Sequence, residues 1–171
     1  SVVGKAENPL LYGNIIGMTG AAVIIILISV WKYKRQGGCR NWNTDKIQDK
    51  RRLKKEILLF GLLTVFITYM MFYVFYIKDG ILYSGLTVYG DYAPHTAMMR
   101  SFSAGNNFPT QYPHYGGADV KYHFMFQFLT GNLEYLGMRM DFAYNIVSTL
   151  SLVGFLMLLY QLALRITGKM C

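Results

Sequence analysis

Residues 90–114, GDYAPHTAMMRSFSAGNNFPTQYPH, carry ionisable side chains whose types and spacing could support chemistry. Asp91 precedes His95 by four residues, so a helix through both would place them on one face. A carboxylate in that position can act as a general base. Together with an imidazole it can also hold a divalent cation such as Mg or Mn. The alternative is structural: Asp91 caps a helix and His95 is a surface residue.

More candidates for substrate binding follow along the same segment. Arg100 carries a guanidinium, which is suited to paired hydrogen bonds with phosphate, and contact with lipid headgroups is its alternative role. His114, Asp119 and His123 could bring two imidazoles and a carboxylate together. Their irregular spacing matches no metal-binding signature, so the sequence indicates a metal site at these three residues only weakly.

Three apolar runs surround this polar segment, at residues 8–31, 57–77 and 142–164. Each is longer than the roughly 20 residues that cross the hydrocarbon core of a bilayer as a helix. Lipid cannot satisfy exposed backbone groups, so helices are expected for such runs, in preference to buried core helices of a soluble protein. The predicted fold class is therefore all-α, a polytopic transmembrane helical bundle with a structured external loop.

The orientation follows from the positive charge. Residues 32–55 hold ten of the 17 Lys and Arg, which is typical of a cytoplasmic connector between two spans and not of a nucleic-acid site. The segment 78–141 is then external, and Arg165 and Lys169 lie on the inner side after the last span. We expect a multi-pass protein of the plasma membrane whose first partner is the lipid bilayer.

The external segment is long enough to contain its own short elements. Residues 80–90 favour an extended stretch, and Pro94 favours a helix over about 94–104, because proline suits a first helical position. Residues 110–119 read as an irregular loop. An amphipathic helix is predicted over 121–137, lying at the membrane surface with a polar face in water. Its polar stripe consists of His123, Gln127, Thr130 and Glu134.

The run GDYAPHTAMMRSFSAGNNFP, followed by YHFMFQFLTGNLEYLGM, resembles the first external loop of bacterial GT-C-type glycosyltransferases. The resemblance covers residues 57–164, the opening part of such a polytopic enzyme. The helix at 8–31 is an addition to the family pattern, which members with extra N-terminal helices would explain. Because the chain starts with Ser and stops directly after an apolar run, we expect it to be an N-terminal fragment of a larger protein.

The resemblance implies inverting sugar transfer from a polyprenyl-phosphate donor to an acceptor whose identity the sequence leaves open. Asp91 matches the loop carboxylate of the family and would deprotonate the acceptor hydroxyl, directly or through a cation. Arg100, with His114 or His123, would neutralise the phosphate of the lipid-linked donor. Glu134 is the substitute candidate for the base.

Two other classes of protein remain open on the sequence. One is a piece of a transporter or flippase, but such proteins place ionisable residues within their spans, and the three apolar runs contain none. The other is a non-catalytic assembly subunit of the envelope polysaccharide machinery.

Overall fold

The computed structural model describes residues 8–35, 46–86 and 89–167. Helices and short strands alternate along these residues. In chain order the elements are α1 (Pro9–Arg35), α2 (Lys46–Val74), β1 (Phe75–Lys78), β2 (Ile81–Ser84), α3 (Tyr89–Ser103), β3 (Gln111–Tyr112), β4 (Tyr115–Asp119), α4 (Met125–Tyr135) and α5 (Met140–Ile166).

Three of these helices are long and apolar enough to cross a membrane. Over the described residues, the stretches that qualify are Pro9–Lys34, Arg52–Val74 and Met140–Ile166. The sequence prediction of three helices of spanning length and composition is therefore confirmed. Their side chains are largely exposed on the protein surface, as expected for helices whose solvent is lipid.

The all-α assignment holds only in part, because the described residues also contain two small antiparallel sheets. In the first, β1 pairs with β2 from Phe75 opposite Ser84 to Lys78 opposite Ile81. The turn between them is Asp79–Gly80, with φ angles of 52° and 78°. An Asp-Gly pair is the usual sequence signal for such a two-residue turn. The second span consequently ends at Val74, three residues before the predicted limit of Ile77.

The second sheet lies where an irregular loop was predicted. β3 pairs with β4, with Tyr112 opposite Tyr115. Asn107 supports the start of this hairpin, since its Nδ2 donates to the carbonyl of Gln111 at 2.7 Å and its Oδ1 accepts from the N–H of Gln111 at 2.8 Å. The side chain of Asn107 thus pairs with the backbone N–H and carbonyl of Gln111, as the backbone of a third strand would otherwise do.

Helix α3 begins at Tyr89, so the predicted start at Pro94 is wrong. Pro94 lies in the second turn of the helix, where its missing N–H removes a single bond, to the carbonyl four residues earlier. The longer helix carries Asp91 in its first turn, where the helix dipole favours a negative charge. Asp91 and His95 are thereby one turn apart on one helix.

Helix α4 is shorter than the predicted 121–137, and its polar stripe does not face water. Gln127 and Thr130 are buried against α3, whereas Met125 and Leu129 are exposed. The predicted placement of the polar face in solvent is therefore wrong. The physical reason is that the Thr130 hydroxyl donates to the backbone of its own helix and Nε2 of Gln127 pairs with His95 on α3, which leaves apolar side chains outward.

The close approach of α3 and α4 depends on Gly131. A Cβ atom added there would lie 2.5 Å from the carbonyl oxygen of Met99 and 3.1 Å from Cβ of Phe102. Beside this contact lies the core of Phe75, Met99 and Met140, which joins β1, α3 and α5.

The aromatic side chain of Tyr92 continues that core toward α5. Its ring stacks on Phe75 with centroids 4.7 Å apart and lies 5.3 Å from the ring of Tyr144. Burial raises the pKa of the Tyr92 phenol above its usual value. These contacts fix the first turns of α3, and therefore the backbone that carries Asp91 and His95.

The basic segment 32–55 is helical at both of its ends, because α1 reaches Arg35 and α2 starts at Lys46. Residues 36–45 and Lys169 lie outside the described residues. In the first turns of α2, Nε of Arg52 donates to the carboxylate of Glu56 at 2.8 Å. The hydroxyl of Tyr160 donates to the same carboxylate at 2.9 Å. A carboxylate on α2 thus ties that helix to α5.

Helix α1 stands apart from the other two long helices, since none of its apolar window is buried within the described structure. Its N-terminal turns contact α4 through a reciprocal amide pair. Asn14 Nδ2 donates to Asn132 Oδ1 at 2.8 Å, and Asn132 Nδ2 donates to Asn14 Oδ1 at 2.7 Å. Both amides are satisfied by one another.

Candidate functional site

Helix α3 separates two pockets, and the six predicted site residues divide between them. One pocket, here called the histidine pocket, has a volume of about 270 Å³ and lies on the face of α3 that carries Asp91 and His95. His114 and His123 complete its wall, so all three histidines of the chain line one pocket.

The histidine pocket is built from three separate parts of the segment between α2 and α5. Asp91 and His95 come from α3, His114 from the turn between β3 and β4, and His123 from the residues that precede α4. The imidazoles of His114 and His123 each lie beside a tyrosine ring. His114 is 5.4 Å from Tyr112 and His123 is 3.8 Å from Tyr122, measured between ring centroids.

Burial differs among these side chains in a way that bears on chemistry. Asp91, His114 and His123 are exposed, so solvent and a ligand can reach them. His95 is half-buried, and its Nδ1 lies 2.6 Å from Nε2 of the buried Gln127. His95 is therefore held in place, whereas the other three surround an open space.

The second pocket, here called the arginine cleft, has a volume of about 480 Å³ and lies on the opposite face of α3. Arg100 and Glu134 line it and form an ion pair, with Nη1 and Oε1 3.1 Å apart. The hydroxyl of Ser103 donates to the other oxygen of Glu134 at 2.7 Å. The structure thus brings Arg100 together with Glu134 and places neither in the histidine pocket.

Arg139 also lines the arginine cleft, and sequence reasoning assigned it no role. Its Nε and Nη2 donate to the two oxygens of Asp141 at 2.6 and 2.7 Å. The pKa of the Arg139 guanidinium is raised because the carboxylate of Asp141 bonds to it. Residues two apart do not face each other on a helix, so the sequence spacing of Arg139 and Asp141 did not indicate this ion pair.

The carboxylate of Asp141 is fully buried and joins β1 to the start of α5. Besides Arg139 it accepts from the N–H of Ile77 on β1 at 2.9 Å and from the N–H of Phe142 at 3.0 Å. One helical turn later Asn145, also fully buried, donates to the carbonyl of Phe75 at 2.7 Å. These bonds attach the first hairpin to α5 and shape one wall of the arginine cleft.

A divalent cation was expected to bind Asp91 with His95. Within residues 8–35, 46–86 and 89–167, His, Cys, Asp and Glu form no group of three or more that could hold a metal ion. Asp91 and His95 by themselves supply two donors, so a Mg ion held there would take its other ligands from water and from a substrate phosphate. The cation at these two residues stays a prediction.

Comparison with protein-family models, with curated proteins and with solved structures finds no match to this chain.

Proposed function

We propose that this chain belongs to a membrane glycosyltransferase that moves a sugar from a polyprenyl-phosphate donor to an acceptor hydroxyl at the external face of the membrane. The observation that carries the proposal is the histidine pocket, where an exposed carboxylate, Asp91, shares one space with the three histidines of the chain. A carboxylate can take the proton of an acceptor hydroxyl, and an imidazolium beside it can neutralise a departing phosphate.

The pocket supports separate roles for its residues. Asp91 is the proposed general base, since its exposed carboxylate on the first turn of α3 can reach a ligand. His114 and His123 are the proposed phosphate partners, because they line the same pocket. Arg100 is a weaker partner for a phosphate there, because it lies in the arginine cleft and is paired with Glu134.

The position of the pocket along the fold also supports this function. The segment that forms the pocket connects the end of α2 to the start of α5, two of the helices that can span a membrane. A donor with a lipid tail and a phosphate headgroup has its reactive atoms at the boundary between lipid and water. Asp91 belongs to the segment that joins the end of α2 to the start of α5. A base at these helix ends would lie at the depth of the donor's headgroup.

The test is transfer by the full-length protein, supplied with polyprenyl-phosphate sugars, with Asp91→Asn as the variant. Loss of a general base typically lowers the rate about 100- to 10,000-fold. Asp79→Asn is the matched control, because Asp79 is an exposed carboxylate in the turn between β1 and β2 and lines neither pocket. If Asp91→Asn retains more than about a tenth of wild-type turnover at saturating donor, Asp91 is not the base.

A non-catalytic subunit of an envelope polysaccharide assembly is the second candidate. It is favoured by α1, whose apolar surface is unburied in the described structure and is thus open to other membrane helices. Such a subunit would show no transfer with any polyprenyl-phosphate sugar, and Asp91→Asn would then alter neither its abundance nor its assembly.

A further inference from the structure

Gln127 is a buried amide in the wall of the histidine pocket to which sequence analysis assigned no role. Its side chain is 4% exposed, and its Nε2 lies 2.6 Å from Nδ1 of His95. Its Oε1 is buried and has no hydrogen-bond partner within the described structure. An unpaired buried acceptor is unfavourable, so one that belongs to a pocket wall indicates a donor from a ligand.

The contact between Gln127 and His95 determines which nitrogen of the imidazole carries the proton. An amide nitrogen can only donate, so Nδ1 of His95 accepts, and in the neutral ring the proton lies on Nε2. Asp91 lies one turn earlier on α3 and lines the same pocket. The pair therefore offers a donor, the Nε2–H of His95, and an acceptor, the carboxylate of Asp91.

We propose that Gln127 positions His95 as an Nε2–H donor and itself accepts a hydrogen bond, through Oε1, from a hydroxyl of a bound carbohydrate. A hydroxyl both donates and accepts, so it can satisfy Oε1 while a neighbouring hydroxyl bridges His95 and Asp91. A fully ionised phosphate has acceptors alone and cannot serve Oε1. The carbohydrate assignment rests on the proposed function, whereas the pairing of Gln127 with His95 does not.

The pairing is tested by NMR of the full-length protein in lipid nanodiscs with 15N-labelled histidine. The signals of His114 and His123 are identified by their loss in His114→Asn and His123→Asn, which leaves those of His95. We expect the neutral form of wild-type His95 to show an unprotonated Nδ1 and a protonated Nε2. A protonated Nδ1 in the neutral ring would overturn the inference.

Two substitutions at Gln127 separate positioning from simple packing. Gln127→Leu should give a mixture of both neutral tautomers, because no group then selects Nδ1. Gln127→Glu should transfer the proton to Nδ1, because an ionised carboxylate only accepts. Thr130→Val is the matched control: it removes a buried hydroxyl of α4 that bonds to its own helix, and it should leave His95 unchanged. An unchanged tautomer in Gln127→Glu would overturn the positioning role.

The ligand class is tested in the same samples with the methyl glycosides of glucose, mannose, galactose and arabinose. At least one should shift the His95 signals of the wild type, with affinity reduced about tenfold in Gln127→Leu, equivalent to about 1.4 kcal/mol. If none shifts them, the carbohydrate assignment is wrong. If the tautomer and the glycoside response are as expected but the wild type transfers no sugar, the proposed function fails and this inference stands.

Discussion

Three carboxylates of the same segment differ in what their surroundings let them do. Asp91 is exposed on the first turn of α3, Glu134 is 11% exposed and paired with Arg100, and Asp141 is fully buried beneath Arg139. Solvent and ligand can reach the carboxylate of Asp91. The guanidinium of Arg100 and the hydroxyl of Ser103 occupy the carboxylate of Glu134, and four hydrogen-bond donors surround that of Asp141. The most exposed of the three is therefore the one that a substrate can reach and the proposed base, and the most buried is a structural residue.

Asp141→Asn should lower the free energy of unfolding by about 2–3 kcal/mol. The amide would turn donor hydrogens toward Arg139 or the N–H of Ile77, which both need an acceptor. The half-exposed guanidinium of Arg139 can still reach water, which keeps the loss below that of a fully buried pair. Thermal unfolding of the purified protein in detergent is the measurement.

Asp79→Asn is the control for that substitution. Asp79 is exposed in the first hairpin with a φ angle of 52°, a conformation that asparagine tolerates well. Equal unfolding temperatures for both variants would contradict the structural role of Asp141.

Glu134→Gln should reduce sugar transfer by much less than the roughly 100-fold minimum expected for loss of a base. Both oxygens of Glu134 are already engaged, one by Arg100 and one by Ser103, so neither is free to take a substrate proton. The assay compares Glu134→Gln with Asp91→Asn at saturating donor. A larger defect in Glu134→Gln would transfer the catalytic role to the arginine cleft.

At the scale of the elements, the spans could be predicted from sequence because lipid demands long uninterrupted apolar helices. The first hairpin was missed because its strand residues from Phe75 to Ile77 are as apolar as the span before them, although Asp79–Gly80 marked the turn. The start of α3 was misplaced because Pro94 suits a first helical position but is also tolerated one turn later.

The candidate site was predictable in its residue types and less so in its grouping. Asp91 and His95 follow from helical spacing, and the structure places His114 and His123 beside them. Arg100 follows His95 by five residues, which places it about 140° around the helix axis, on the other face of α3. Contacts of long sequence separation, such as Gln127 with His95, carry no local signal.

The packing of α3 on α4 makes Gly131 the most restrictive position of that contact. Gly131→Ala should destabilise the protein by about 1–3 kcal/mol, because its methyl group would meet the carbonyl oxygen of Met99. Gly154→Ala is the matched control, since a Cβ atom there has no neighbour within 4 Å. Thermal unfolding with equal melting temperatures for the two variants would show that the helices can move apart freely.

At the scale of the whole molecule, the orientation in the membrane decides which side the histidine pocket faces. Residues 32–55 hold most of the basic charge, which predicts that they are cytoplasmic and that residues 78–141 are outside. A cysteine introduced at Thr110 should then react with a membrane-impermeant thiol reagent added to intact cells, whereas Cys39 should not. Labelling of Cys39 without labelling at position 110 would show that the orientation in the membrane is the reverse of the predicted one.

The amide pair between Asn14 and Asn132 has a mechanical consequence. The apolar stretch of α1 has 26 residues, so it is about 39 Å long, whereas a typical hydrocarbon core is about 30 Å thick. A helix of that excess length tilts to match the bilayer, and it tilts more as the bilayer thins. Because two hydrogen bonds fix Asn14 to α4, the helix pivots at this residue. A change of tilt therefore displaces mainly the opposite, C-terminal end of α1.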